Sequence, residues 1–143
     1  MTMSSISQRS AHWFLRLSLA LGLLSAVADR LGLWGVAGSP NVAWGNMQNF
    51  IRYTGTLCPW CPTILLPSLA WIVTATEMIL GFGLIAGVAI RRLAVMTFAL
   101  TAIFAISMTY CLGIHAPLNY SVFAFSAAAL CLATEKPEGS HAK

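Results

Sequence analysis

Charge is what this sequence has least of. Its 143 residues include eight Lys and Arg and four Asp and Glu, 8% in all, where a soluble domain carries roughly a quarter. That scarcity excludes an ordinary water-facing surface. The net charge of +4 is too small to serve as a nucleic-acid footprint. The apolar segments also lack the period-two alternation of barrel strands, which excludes a transmembrane β-barrel. No internal repeat and no low-complexity tract breaks the chain, so neither a solenoid nor a flexible linker is expected.

What is present is apolar length. Residues 17–28, 64–90, 93–113 and 121–133 are near-continuous apolar runs, and mean hydropathy is +0.77. Crossing about 30 Å of hydrocarbon at about 1.5 Å per residue takes roughly 20 residues. Backbone in lipid must satisfy its own hydrogen bonds, so the spans are helices. We therefore expect an all-α integral membrane four-helix bundle, a single domain over 1–143, with spans at about 12–36, 65–90, 93–113 and 117–133. A short amphipathic interfacial segment is expected in the first loop, where Trp44, Met47, Phe50 and Ile51 recur at helical spacing. This segment reads either as a lid on the bundle or as a docking surface for a partner.

The N-terminus imitates a signal peptide: Arg9 and Arg16 precede an apolar stretch and Ala26-Val27-Ala28. Apolar character resumes at 31–36, so 12–36 is read as a retained helix, with cleavage as the alternative. With four spans, Arg9, Arg16, Arg91, Arg92, Lys136 and Lys143 fall on one side, and only Arg30 and Arg52 on the other. The positive-inside rule then makes both termini cytoplasmic. For a bacterial inner membrane, the long first loop faces the periplasm, where disulfides persist. The polar tail after Thr134, with His141, reads as frayed.

Counting along the helices gathers the chemistry at one level. Glu77 precedes Arg91 by fourteen residues, about 21 Å at the helical rise. Asp29, Arg30, Cys58, Cys61, Cys111 and His115 come out in the same outer third. A lone carboxylate such as Glu77 is costly in a bilayer unless paired or protonated. One reading gives it Arg30 or Arg52 as a structural ion-pair partner. The other makes it a proton acceptor for a quinone or ion. Asp29 and Arg30 are adjacent, so each needs a partner elsewhere.

Cys58-Pro59-Trp60-Cys61 is a CxxC facing the oxidising side. It reads as a redox pair with depressed thiol pKa, as a static disulfide, or as half of a soft-metal site completed by Cys111 or His115. Cys111 is also a possible resolving thiol, while Cys131, toward the inner side, is packing. Gly83 and Gly87, four apart, predict close helix approach. Trp34, Trp44, Trp60 and Trp71 suit an interfacial belt. His12 and His115 fall at opposite ends and cannot ligate one haem.

Residues 25–35 (Ser-Ala-Val-Ala-Asp-Arg-Leu-Gly-Leu-Trp-Gly), 44–46 (Trp-Gly-Asn), Phe50, Tyr53-Thr54, Thr76-Glu77 and 116–123 (Ala-Pro-Leu-Asn-Tyr-Ser-Val-Phe) resemble the DoxX family of small bacterial membrane proteins. The resemblance covers most of 12–133. It implies a four-helix inner-membrane protein of membrane-bound redox assemblies, the family's namesakes being associated with thiosulfate:quinone oxidoreduction. The CxxC departs from the Asn-Pro-Phe-like segment common in such proteins and points to a specialised thiol or metal role. Four spans with an outer CxxC are also similar to quinone-linked disulfide-forming enzymes, although these use a second exposed pair that is not evident here. The function expected is therefore a redox subunit passing electrons or thiol equivalents between a periplasmic partner and quinone. A non-catalytic subunit or anchor of a larger complex, and a metal-handling protein, are the alternatives. Cys58, Cys61 and Glu77 would be catalytic, with Asp29, Arg30 and Arg52 as a proton or ion-pair cluster.

Overall fold

The computed structural model describes residues 3–135, with side chains from residue 7 onward. The expected roles of Lys136, Lys143 and His141 lie outside the described residues. The described chain is all-helical, without strands. Three helices are long and apolar enough to cross a membrane: α1 (Met3–Arg30), α3 (Leu66–Ala86) and α4 (Ile90–Leu112). Between α1 and α3 lies α2 (Met47–Leu57), followed by a single 3₁₀ turn at Thr63–Leu65. The chain ends in a short α5 (His115–Asn119) and α6 (Val122–Thr134).

The core is drawn from four helices: Leu19, Ala20 and Leu23 of α1, Leu80 and Leu84 of α3, Ala94 of α4, and Ala129, Leu132 and Ala133 of α6. Alanine at the contact points lets α4 and α6 lie close together. Large apolar side chains point the other way, with Phe14 76%, Ile79 68% and Ile106 67% exposed. Apolar side chains inside and outside suit a lipid surround, where no water need be excluded from the outer face.

Two expected spans are corrected. The first helix stops at Arg30 instead of continuing to Val36. Gly32 takes a positive φ of 78°, and the Trp34 indole N–H turns back to the Ser25 carbonyl at 3.0 Å. The apolar residues Leu31, Leu33 and Val36 are therefore exposed on a returning loop. The fourth span is broken in two, because Ser121 adopts a left-handed φ of 54° between α5 and α6. The thirteen residues of α6 fall short of a full hydrocarbon crossing.

The two glycines expected to share a packing face have separate jobs. Gly83 faces Leu93 of α4, where a Cβ would lie 2.5 Å from the leucine Cδ1. Gly87 ends α3 in a left-handed cap at φ 75°, its amide donating to the Gly83 carbonyl at 3.0 Å. The Arg16 guanidinium packs against that cap, and His12 pairs with Glu135. Arg16, the α3–α4 turn with Arg91 and Arg92, and the end of α6 thus share one end of the molecule. The other end holds Arg30, Glu77 and α2.

Candidate functional site

At that second end, α1 delivers Asp29 and Arg30 on its last turn, and they diverge as neighbours on a helix must. Arg30 crosses to α3. Its Nη1 donates to Glu77 Oε2 at 2.5 Å and its Nη2 to Glu77 Oε1 at 3.2 Å, a two-point grip. Nη1 also reaches Thr74 Oγ1 at 3.2 Å. Thr74 and Glu77 are three residues apart, which sets them on one face of α3. Arg30 is 3% exposed and Glu77 4%, so the pair is buried. Among the described residues Arg30 Nε is left without a hydrogen-bond partner.

Aromatic rings close over the pair. The Arg30 guanidinium carbon lies 3.7 Å from the Phe50 ring centroid and 5.0 Å from that of Trp44. A cation held against desolvated ring faces gains attraction that water would otherwise screen. Phe50 belongs to α2, and Trp44 meets it edge-on with centroids 5.1 Å apart.

Asp29 places this cover. Its carboxylate accepts the backbone N–H of Trp44 at 2.8 Å and of Gly45 at 3.4 Å. Its partner is therefore backbone rather than a basic side chain. Asn46 then caps α2 by accepting from the Asn49 amide, and Asn49 Nδ2 returns to the Trp44 carbonyl at 2.7 Å. Arg52, the rival partner considered for Glu77, is exposed and donates to Asn49 Oδ1 instead. So α2 is amphipathic as expected, burying Phe50, Thr54 and Leu57. It starts at Met47, leaving Trp44 in the loop ahead of it.

No family model, curated protein or solved structure matches this chain. The site is argued from its own geometry.

Glu77 also lines a cleft of about 410 Å³ between α1 and the α5–α6 break. Gly22, Leu23 and Ala26 of α1 line it together with Tyr120, Ser121 and Phe125, and Thr101 of α4. The lining is mostly apolar, with the carboxylate and a few hydroxyls as its polar groups.

The cysteines occupy a different space. All four carry free thiols. Cys58 is the C-cap of α2 and lines a small cavity of about 100 Å³ with Leu57, Val73, Phe104 and Ser107. Burial, with Cys61 and Cys111 alongside, pushes the Cys58 thiol above its ordinary range. This corrects the expectation of a depressed value. Cys58 sits at the carbonyl end of a helix, where the local dipole opposes a thiolate. Cys111, at the end of α4, donates its thiol to the Leu57 carbonyl at 3.3 Å. Cys131 lies on α6, remote in sequence and exposed.

Among the described residues no group of three or more His, Cys, Asp and Glu is placed to hold a metal ion. The proposed set of Cys58, Cys61, Cys111 and His115 is therefore not assembled as a metal centre. The structure brings together Asp29, Arg30 and Glu77, and separately Cys58, Cys61 and Cys111. Thr74, and the cleft formed by Tyr120 and Ser121, were missed from sequence. The i,i+3 spacing of Thr74 and Glu77 could have revealed the first, but only the helix break creates the second.

Proposed function

We propose that this chain is a redox-associated subunit of DoxX type, a four-helix protein of the bacterial inner membrane with both termini cytoplasmic. In this reading the cleft at Glu77 takes a quinone. The observation that carries it is a buried carboxylate lining an otherwise apolar, open cleft. Reducing a quinone to its quinol adds two electrons and two protons. A periplasmic partner would supply the two electrons and the outer aqueous phase the two protons, with Glu77 accepting a hydrogen bond from the quinol hydroxyl and Tyr120 and Ser121 offering hydroxyl donors to a carbonyl oxygen. The apolar walls suit an isoprenoid tail.

The rival reading, a non-catalytic anchor, is favoured by the two-point Arg30 grip, which already engages both oxygens of Glu77. Photolabelling separates the two. A tailed azido-quinone should label the peptide containing Tyr120 to Phe125. Ala124→Phe, which adds bulk to the cleft lining on α6 without changing either member of the ion pair, should abolish the labelling. Labelling elsewhere, or unaffected by Ala124→Phe, removes the quinone from this cleft and leaves the anchor.

A further inference from the structure

Three thiols lie near the end of α2, and the quinone reading uses none of them. Cys61 lies on the exposed turn with Pro59 and Trp60, its amide donating to the Cys58 carbonyl at 2.9 Å. Cys58 faces the small cavity between α2, α3 and α4. Cys111 is half-buried like the other two, with its thiol hydrogen-bonded to the Leu57 carbonyl immediately before Cys58. One peptide unit therefore separates the Cys111 sulfur from the Cys58 backbone. Ser107, one turn earlier on α4, lines the same cavity as Cys58, so the α4 face that carries Cys111 is turned toward Cys58.

We propose that Cys111 is the third member of a thiol relay, and that a disulfide entering at Cys58–Cys61 passes to Cys58–Cys111. The oxidant is a disulfide, of a protein or a small molecule, approaching the exposed turn. The Cys61 thiolate attacks it, forming a mixed disulfide and releasing one thiolate of the oxidant. Cys58 displaces the second, closing Cys58–Cys61. Cys111 then loses its proton and attacks the Cys58 sulfur. The Cys58–Cys61 bond breaks, Cys58–Cys111 forms, and Cys61 leaves as a thiolate that takes up a proton. Two thiols have been oxidised and one disulfide reduced to two thiols.

That Cys58 is the shared member follows from its environment. Exchange expels the better leaving thiolate, and the C-cap position and burial that disfavour a Cys58 thiolate keep Cys58 bonded in both states. The product joins the end of α2 to the end of α4. Since α2 carries Phe50 over Arg30, oxidation pins the cover on the ion pair. An i,i+3 thiol pair alone closes only a local loop and has no such reach.

The inference rests on the expectation that Cys58 and Cys61 form a redox pair and not on the quinone, so its test contains no quinone. The full chain in nanodiscs is oxidised with glutathione disulfide, quenched with an alkylating reagent under native conditions, digested and mapped by mass spectrometry. Wild type should yield Cys58–Cys61 and Cys58–Cys111 in amounts within about tenfold of each other, as expected for two exchanging disulfides of similar potential. Cys61→Ser should give Cys58–Cys111 as its main linkage, and Cys111→Ser should give Cys58–Cys61 alone. Cys131→Ser should leave the wild-type map unchanged. Cys61→Ser that stays monodisperse yet shows glutathione on Cys58 and a free Cys111 overturns the relay. If Cys61→Ser fails to fold, wild type decides alone: absence of Cys58–Cys111 at every glutathione ratio overturns it.

Discussion

Glu77→Gln tests the buried pair most directly. The substitution keeps the shape of the side chain and removes its charge. Arg30 would then lie 3% exposed with one amide oxygen, the Thr74 hydroxyl and two aromatic faces as partners. Breaking a buried ion pair from one side costs about 3–5 kcal/mol, because the stranded charge keeps its desolvation penalty. The Gln oxygen still accepts one of the two Arg30 bonds, and a charge-assisted bond is worth about 1.5–3 kcal/mol. The expected loss is therefore toward the lower end, about 3 kcal/mol. Arg30→Gln should cost a similar amount by stranding Glu77. Replacing both, as Arg30→Met with Glu77→Leu, should recover much of the loss, since paired charges and matched apolar side chains are often close in stability. The assay is a double-mutant cycle of unfolding in mixed micelles, followed by helical circular dichroism. Additive effects, or single variants as stable as wild type, would refute the claim that Glu77 and Arg30 hold one another in the absence of solvent.

Asp29→Asn should loosen the cover by about 1–2 kcal/mol, because the amides of Trp44 and Gly45 lose an ionised acceptor; faster hydrogen exchange at those two residues checks it. Gly87→Ala should destabilise by about 1 kcal/mol or more, since its φ of 75° is unfavourable for alanine and a Cβ would stand 3.2 Å from Arg16 Nη1; thermal unfolding checks it. A thiolate is the reacting form, so a raised Cys58 pKa means little alkylation near pH 7 and a rate that climbs into the alkaline range. The rate profile should move to lower pH in Cys111→Ser, which removes one of the neighbours that raise it. A membrane-impermeant thiol reagent applied to intact cells should reach Cys61 and not Cys131, and labelling only after the inner membrane is opened would reverse the proposed orientation.

Membrane-length apolar helices were legible in the sequence because hydrocarbon imposes a length and a composition that need no tertiary information. The lone Glu77 among apolar neighbours announced a buried carboxylate for the same reason, and Arg30 was one of only two basic residues at its depth. Two features the sequence could not set were where the first helix stops and how the last one breaks. Residues 31–36 are apolar enough to continue a span, and only the return of Trp34 to Ser25 and the left turn at Gly32 end the helix. The run from Pro117 to Ala133 reads as continuous, yet the left-handed Ser121 splits it and opens the cleft beside Glu77. Tertiary structure also chose between Arg30 and Arg52, because that choice depends on which guanidinium Phe50 and Trp44 can cover. It likewise placed Cys58 at a helix C-terminus, where burial and the neighbouring Cys61 and Cys111 raise its thiol pKa, although the sequence pattern alone suggested a depressed one. Span length and intramembrane charge are local penalties paid by each segment alone, so sequence determines them. Partner choice, helix breaks and thiol environment depend on which segments meet, and only the folded chain decides that.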